Sequence, residues 1–257
     1  MLSQAFCTRL REGIARMRDT GNPFTYWWRD DDAKRATAPL ARLLRLSEGS
    51  RTPLVLAVIP GGADASLAQC IEAKGHVYAW QHGFSHTNHA PVGGKKTELG
   101  SHRPVEAVLR ELSAGREQLS VLLGESFATV LVPPWNRLAD DVIQRLPESG
   151  LTGLSTFGIG ALNGLARGVP CANAHVDIID WRGTRGFVGE AVVLSQLLTH
   201  IDARIAGTAR ALEATGLLTH HLVHDEASWQ FLEALTAWLR EEVDAYAVGP
   251  EQLFVPT

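Results

Sequence analysis

Seven times along this chain a short β-rich apolar run ends in polar residues and gives way to a helical pattern. The runs are "FTYWWRDD" (24–31), "PLVLAVIP" (53–60), "HVYAWQHG" (76–83), "FATVLVPPW" (127–135), "LTGLSTFG" (151–158), "NAHVDIIDW" (173–181) and "TGLLTHH" (215–221). Between them, stretches such as "APLARLLRLSEG", "PVEAVLRELSAGREQLSVLLG", "ADDVIQRLPESG" and "VVLSQLLTHIDARIAGTARALEATG" place apolar residues three and four apart, and several close on glycine. A last helix is expected over "SWQFLEALTAWLREEVDAY". Strands that alternate with helices imply a parallel sheet. The apolar runs are continuous rather than alternating, so the sheet is covered on both faces. The expected fold class is α/β, a distorted (β/α)7-type barrel in a single domain over 1–257, with residues 1–22 forming a helix before the first strand. An open doubly wound sheet is the alternative. Its dinucleotide-binding version loses support because no GxGxxG follows the first run.

Composition narrows the function classes. A formal net charge of -4, with no Lys/Arg-rich run, leaves no footprint for nucleic acid. No apolar stretch is long enough for a bilayer, and the first 22 residues lack the apolar core of a signal peptide, so the expected compartment is the cytoplasm. Cys7, Cys70 and Cys171 are widely spaced, which argues against a disulfide framework or a structural zinc knuckle. The expected partner is a small-molecule or oligosaccharide substrate, not nucleic acid or membrane.

In parallel α/β folds the site forms at the carboxyl ends of the strands. There the sequence gathers Asp30, Asp31 and Asp32 after the first run, and His82, His86 and His89 after the third. "VPPWNR" follows the fourth, "DIIDW" the sixth and "LTHHLVHD" the seventh. His82 and His86, four apart, can share one cation, with His89 a weaker third candidate. A cation there would explain three adjacent carboxylates, whose burial is otherwise costly. One aspartate would be its third ligand and a neighbour would take the proton of an activated water. Two histidines and one carboxylate leave coordination positions open, as catalytic sites require. A histidine of the seventh run is positioned to protonate a leaving group, and Asp177 or Asp180 could hold it charged.

These pieces, in this order, resemble the polysaccharide deacetylase family (carbohydrate esterase family 4, the NodB-homology fold) over nearly the whole chain. The resemblance implies that Asp31 is the catalytic base and that Asp32, His82 and His86 are the metal ligands. It aligns Pro133-Pro134-Trp135 with an Arg-x-Pro motif, although Val132 stands where the arginine is expected, so Arg29, Arg137 or Arg182 would have to substitute. It matches Asp180-Trp181 to an Asp-Trp pair. It matches the acid-bearing Leu-x-His twice, at His220, which ends the apolar run, and at His224 beyond it. Pro134, Trp135 and Trp181 would line the substrate groove, although both tryptophans suit a core equally well.

The implied activity is metal-dependent removal of an N-acetyl or other N-acyl group from a sugar, with zinc as the first choice of divalent ion and cobalt, nickel, iron or manganese as alternatives. Rival readings are hydrolysis of another amide or imide bond in a small molecule, a barrel that binds sugar without turnover, and a non-haem iron oxygenase. The βα alternation speaks against the last.

Overall fold

The computed structural model describes residues 1–72, 74–160 and 168–254. Helix α1 (Gln4–Asp19) is capped by the Ser3 hydroxyl and precedes the first strand, β1 (Phe24–Ala33). There follow α2 (Ala38–Ser50), β2 (Leu54–Val58), α3 (Ala65–Ile71), β3 (Val77–His82), α4 (Val105–Leu123) and β4 (Phe127–Val132). The second half contains α5 (Asp140–Arg145), β5 (Gly153–Leu154), β6 (Val176–Asp177), α6 (Glu190–Ile205), β7 (Thr215–Thr219), α7 (Glu226–Glu241) and β8 (Ala245–Ala247).

All named pairings are parallel, in the order β5-β4-β3-β2-β1-β7-β6. β1 is an interior strand, with Trp28 opposite Leu54 on one side and Leu217 on the other. The two ends of the sheet, β5 and β6, are two-residue strands. Among the described residues they are linked only through single bridges, Leu154 with Cys171 and Phe157 with Ala174. The result is a curled, incompletely closed barrel, the distorted barrel expected from the alternating runs.

Side chains alternate across each strand, and β1 sorts its own accordingly. Trp27 points into the barrel and packs with Val55, Ala57, Trp80, Val130 and Val132. Trp28 points outward, into the layer where Phe6, Leu10, Leu40, Val193 and Leu232 cover the sheet. Each fully buried Leu or Phe there contributes about 1.5–3 kcal/mol. Helix α1 packs on α6 so closely that a Cβ on Gly13 would lie 2.7 Å from Leu198.

Three differences from the sequence expectation are local. The last helix stops at Glu241, five residues short of the expected end, and Ala245–Ala247 turn back as β8 in parallel pairing with Phe24–Tyr26. Helix α6 ends at Ile205, where Gly207 takes φ +73° and the amides of Thr208 and Ala209 fold back to the Ala203 carbonyl. Helix α3, with Asp64 capping its first turn, was absent from the pattern reading because only Leu67 and Ile71 are buried in it.

Candidate active site at the carboxyl ends of the strands

The aspartate triplet resolves into three different environments. In a regular strand Asp31 and Asp32 would face opposite sides of the sheet. The pairing of β1 with β2 slips between Asp30 and Ala33, and Asp32 adopts φ +74°. This bulge turns both carboxylates toward the mouth of the barrel, as bulges commonly do beside functional sites.

Asp30 points outward and is fully buried. It accepts hydrogen bonds from the Thr219 hydroxyl at 2.6 Å, from the His221 amide at 2.9 Å and from the His221 ring. Burial pushes the Asp30 carboxyl up, but the His221 imidazolium outweighs it and the net shift is downward. The His221 ring is driven the other way: burial lowers it, and Asp30 more than restores it, so its pKa rises. Asp30 therefore fastens β1 to the end of β7.

Asp31 is held by Arg29, two residues earlier on the same inward face. The guanidinium donates two parallel bonds, Nε to Oδ1 at 2.8 Å and Nη2 to Oδ2 at 3.2 Å, and a third to the Ser155 hydroxyl at 2.6 Å. Both residues are buried. On its other side, Asp31 Oδ2 lies 3.9 Å from His220 Nε2. Among the arginines considered as substitutes at Val132, Arg29 is the one that reaches Asp31. Arg137 donates instead to the Lys96 carbonyl, and Arg182 sits on an exposed loop.

Asp32 meets the histidine pair. Its Oδ1 lies 3.4 Å from Nε2 of both His82 and His86, yet finds no well-aligned hydrogen bond and is buried. Burial raises the Asp32 carboxyl, but the surrounding histidines outweigh it and hold it well below the usual carboxylate range. His82 Nδ1 lies 2.9 Å from the Val132 carbonyl, so an N–H there leaves the Nε2 lone pair aimed at Asp32. Val132 thus contributes a backbone acceptor where an arginine side chain was expected. Burial lowers the His86 pKa, whereas at His82 burial is outweighed by Asp32 and Asp31 and the pKa rises. The donor set fits a divalent cation. Two imidazole nitrogens and one carboxylate oxygen lie within 4.8 Å of one another, with a buried carboxylate oxygen otherwise left without a partner.

The loop carrying His86 is clamped by a residue the sequence reading missed. Glu98, fully buried, accepts from the amides of Phe84 at 3.2 Å and Ser85 at 2.7 Å and from the Ser85 hydroxyl at 2.9 Å. Gly83, at φ +57°, passes so near that a Cβ would strike the Glu98 carboxylate and the Pro134 ring. No sequence spacing could signal Glu98, a lone acid sixteen positions past the strand.

The remaining candidates separate. Trp135, half-buried and at φ +54°, lays its ring 4.3 Å from that of His86. Pro134 is buried beneath it, against Gly83. Trp181 is exposed, donates its indole N–H to Asp177 at 2.8 Å and meets the His220 ring edge-on at 4.7 Å. Asp177 is raised by burial and feels the His220 charge. Asp180 is not beside His220: its carboxylate accepts from the amides of Arg182, Gly183 and Thr184. His224 lies behind the site, edge-on to Trp229 with its Nε2 3.4 Å from the His220 amide, and burial lowers its pKa to about 4. His89 stands on an exposed loop away from the pair.

A second group of metal-ligand types, His175, His200 and Glu213, is buried at the opposite ends of the strands. It suits a cation less well. The His175 Nδ1 accepts the Gly216 amide, which puts the ring proton on Nε2, facing Glu213 at 3.4 Å, and leaves no lone pair there.

No protein-family profile and no curated protein sequence matches the chain. Solved structures do. A peptidoglycan deacetylase from Bacillus subtilis superposes with a TM-score of 0.55 over 90% of each chain at 13% identity. This is the polysaccharide-deacetylase fold. A peptidoglycan N-acetylglucosamine deacetylase follows at TM-score 0.54 and 14% identity, covering 92% of this chain and 95% of that one. A family 4 acetyl xylan esterase from Clostridium thermocellum, in complex with a cobalt ion, gives 0.53 over 90% of each chain at 12% identity. At such identities the likeness speaks for the polysaccharide-deacetylase fold, and the chemistry must be argued from this chain's own residues.

Proposed function

We propose that the protein is a metal-dependent hydrolase that removes an N-acyl group, acetyl in the simplest case, from a sugar or glycan-like substrate. The observation that carries this is the approach of Asp31 to His220 across the barrel mouth, beside the triad of Asp32, His82 and His86. A divalent cation held by that triad, zinc in the first instance, would supply Lewis-acid polarisation of the acyl carbonyl and of an attacking water. Asp31, oriented by the Arg29 fork, accepts the proton of that water. His220 faces Asp31 from β7 and donates a proton to the departing amine. Its own orientation comes from the Trp181 edge, and Trp181 is in turn fixed by Asp177. We therefore assign the orienting carboxylate to Asp177 rather than Asp180, and the acid to His220 rather than His224. Trp135 and Trp181 form apolar walls for the faces of a sugar ring.

The test is metal stoichiometry by elemental analysis together with acetate release from N-acetyl sugars, on wild type, His86→Ala and Asp31→Asn. We expect one divalent ion per chain in the wild type, none in His86→Ala, and a metal-loaded but inactive Asp31→Asn. Full turnover by Asp31→Asn would overturn the base assignment, and stoichiometric metal in His86→Ala would overturn the ligand set. Metal without acetate release from any sugar, but with hydrolysis of small amides or imides, would move the reading to that bond class.

A further inference from the structure

The loop from Ile179 to Phe187 is built more firmly than an exposed loop needs to be. Ile179 and Phe187 pair as an antiparallel bridge, and the Asp180 amide donates to the Gly186 carbonyl at 2.9 Å. Inside the loop, Asp180 ties down three successive amides, and Gly183 lies so close that a Cβ would meet the Asp180 carboxylate. The Arg185 amide returns to the Asp180 carbonyl at 2.9 Å, and Arg185 itself takes φ +60°, an uncommon conformation for a long side chain. That turn aims the guanidinium back over the indole of Trp181, 5.8 Å from the ring centroid.

What the loop presents is positive charge without a partner. Arg182 and Arg185 are exposed, and among the described residues neither has a carboxylate within 4.0 Å. The acids nearby are already engaged: Asp177 accepts from the Trp181 indole. Asp180 caps its own loop, and Asp225 accepts from the amides of Phe187 and Ser228. On a chain of net charge -4 this is a local reversal of sign. It lies one indole ring away from His220, since Trp181 meets that imidazole edge-on and also carries Arg185. Guanidinium groups recognise phosphate and carboxylate through paired donors, and they gain from stacking on an aromatic face.

We propose that Arg185, with Arg182 beside it, is an anion-recognition wall, and that the substrate is an N-acyl sugar carrying a phosphate or carboxylate about one sugar ring from the acyl-amino carbon. This rests on the deacetylase reading for the position of the acyl group, whereas the wall itself rests on loop geometry and charge. Asp180 is then a positioning residue for the two arginines.

The experiment compares N-acetylglucosamine with N-acetylglucosamine 6-phosphate and N-acetylmuramic acid, by calorimetry and by acetate release, on wild type and on Arg182→Gln/Arg185→Gln. The two charged sugars distinguish phosphate from carboxylate. We expect at least one of them to bind about tenfold more tightly than the neutral sugar. That preference should collapse in the double variant and in about 1 M salt. Equal binding of all three sugars, binding of none, or a preference that survives both substitutions would overturn the wall. Acetate release from the neutral sugar without any charge preference overturns the wall and leaves the deacetylase. An arginine-dependent preference with no acetate released from any sugar supports the wall and removes the deacetylase reading.

Discussion

Replacing Arg29 tests the buried ion pair that holds Asp31. The guanidinium and the Asp31 carboxylate are both buried, at 2% and 5% exposure, and the side chain makes three hydrogen bonds of 2.6–3.2 Å to Asp31 and Ser155. Arg29→Gln removes the positive partner and leaves Asp31 charged inside the barrel, a change that costs about 3–5 kcal/mol where an ion pair is buried. Arg29→Lys keeps the charge but loses the fork, and should cost about 1.5–3 kcal/mol, the range for a lost hydrogen bond to a charged group. Both are read from urea unfolding at neutral pH. Asp31→Asn added to Arg29→Gln removes the stranded charge, so the double variant should be more stable than Arg29→Gln alone. The functional arm is kcat on the sugar that the acetate-release panel identifies. Arg29→Lys should lose about a hundredfold, since a misplaced reacting group of about 1 Å costs that much. If Arg29→Gln unfolds within about 1 kcal/mol of the wild type, the pair behaves like a surface ion pair and the reasoning is wrong.

Two further outcomes follow from buried groups around the site. Glu98→Gln leaves an amide where three donors point, so the His86 loop loosens; zinc affinity measured by chelator competition should fall about 10–100-fold while circular dichroism is unchanged. Wild-type zinc affinity in that variant would reduce Glu98 to packing. His200 has no exposure, and burial, then His175 and Arg204, lowers its pKa from 6.5 to about 2. The unfolded chain takes up that proton first, so this contribution is whole above about pH 6.5 and shrinks as pH falls, by about 1.4 kcal/mol per unit. Between pH 7 and pH 5 the wild type should therefore lose about 2 kcal/mol more unfolding free energy than His200→Gln. Parallel pH curves for the two proteins would mean that His200 titrates normally.

The sheet was legible because its signal is local: a parallel strand buried on both faces reads as an unbroken apolar run, as Pro53–Pro60 does. The short elements were not. β8 depends on the first three residues of β1, more than two hundred positions away, and its own sequence is an ordinary continuation of a helix. At the site, the residue types and the ends of the strands could be read, because Asp30 to Asp32 and the His82–His86 spacing are contiguous in the chain. Spacing alone could not separate their surroundings, because which way each side chain points depends on one bulge at Asp32. Arg29 was one of three arginines until the alternation of β1 put it on the same face as Asp31. Asp177 and Asp180 are equivalent in sequence; a loop that uses Asp180 for its own amides separates them. Glu98 accepts mainly from backbone amides, which carry no residue-type signature.

The position of β1 between β2 and β7 has a consequence for how the protein is made. Its neighbour β2 follows within some thirty residues, but the groups that pair with Asp30 lie 189 and 191 positions downstream, at Thr219 and His221. At ribosomal speeds of about 5–20 residues per second, roughly 10–40 s separate the emergence of β1 from that of β7. Through that interval one edge of β1 is open and its charged carboxylate needs water, so the nascent barrel cannot close around it. Closure waits for β7, a high-contact-order step that makes folding slow. A strand that sets three carboxylates in consecutive residues, Asp30 to Asp32, thereby leaves the first of them unfastened until β7 has been made.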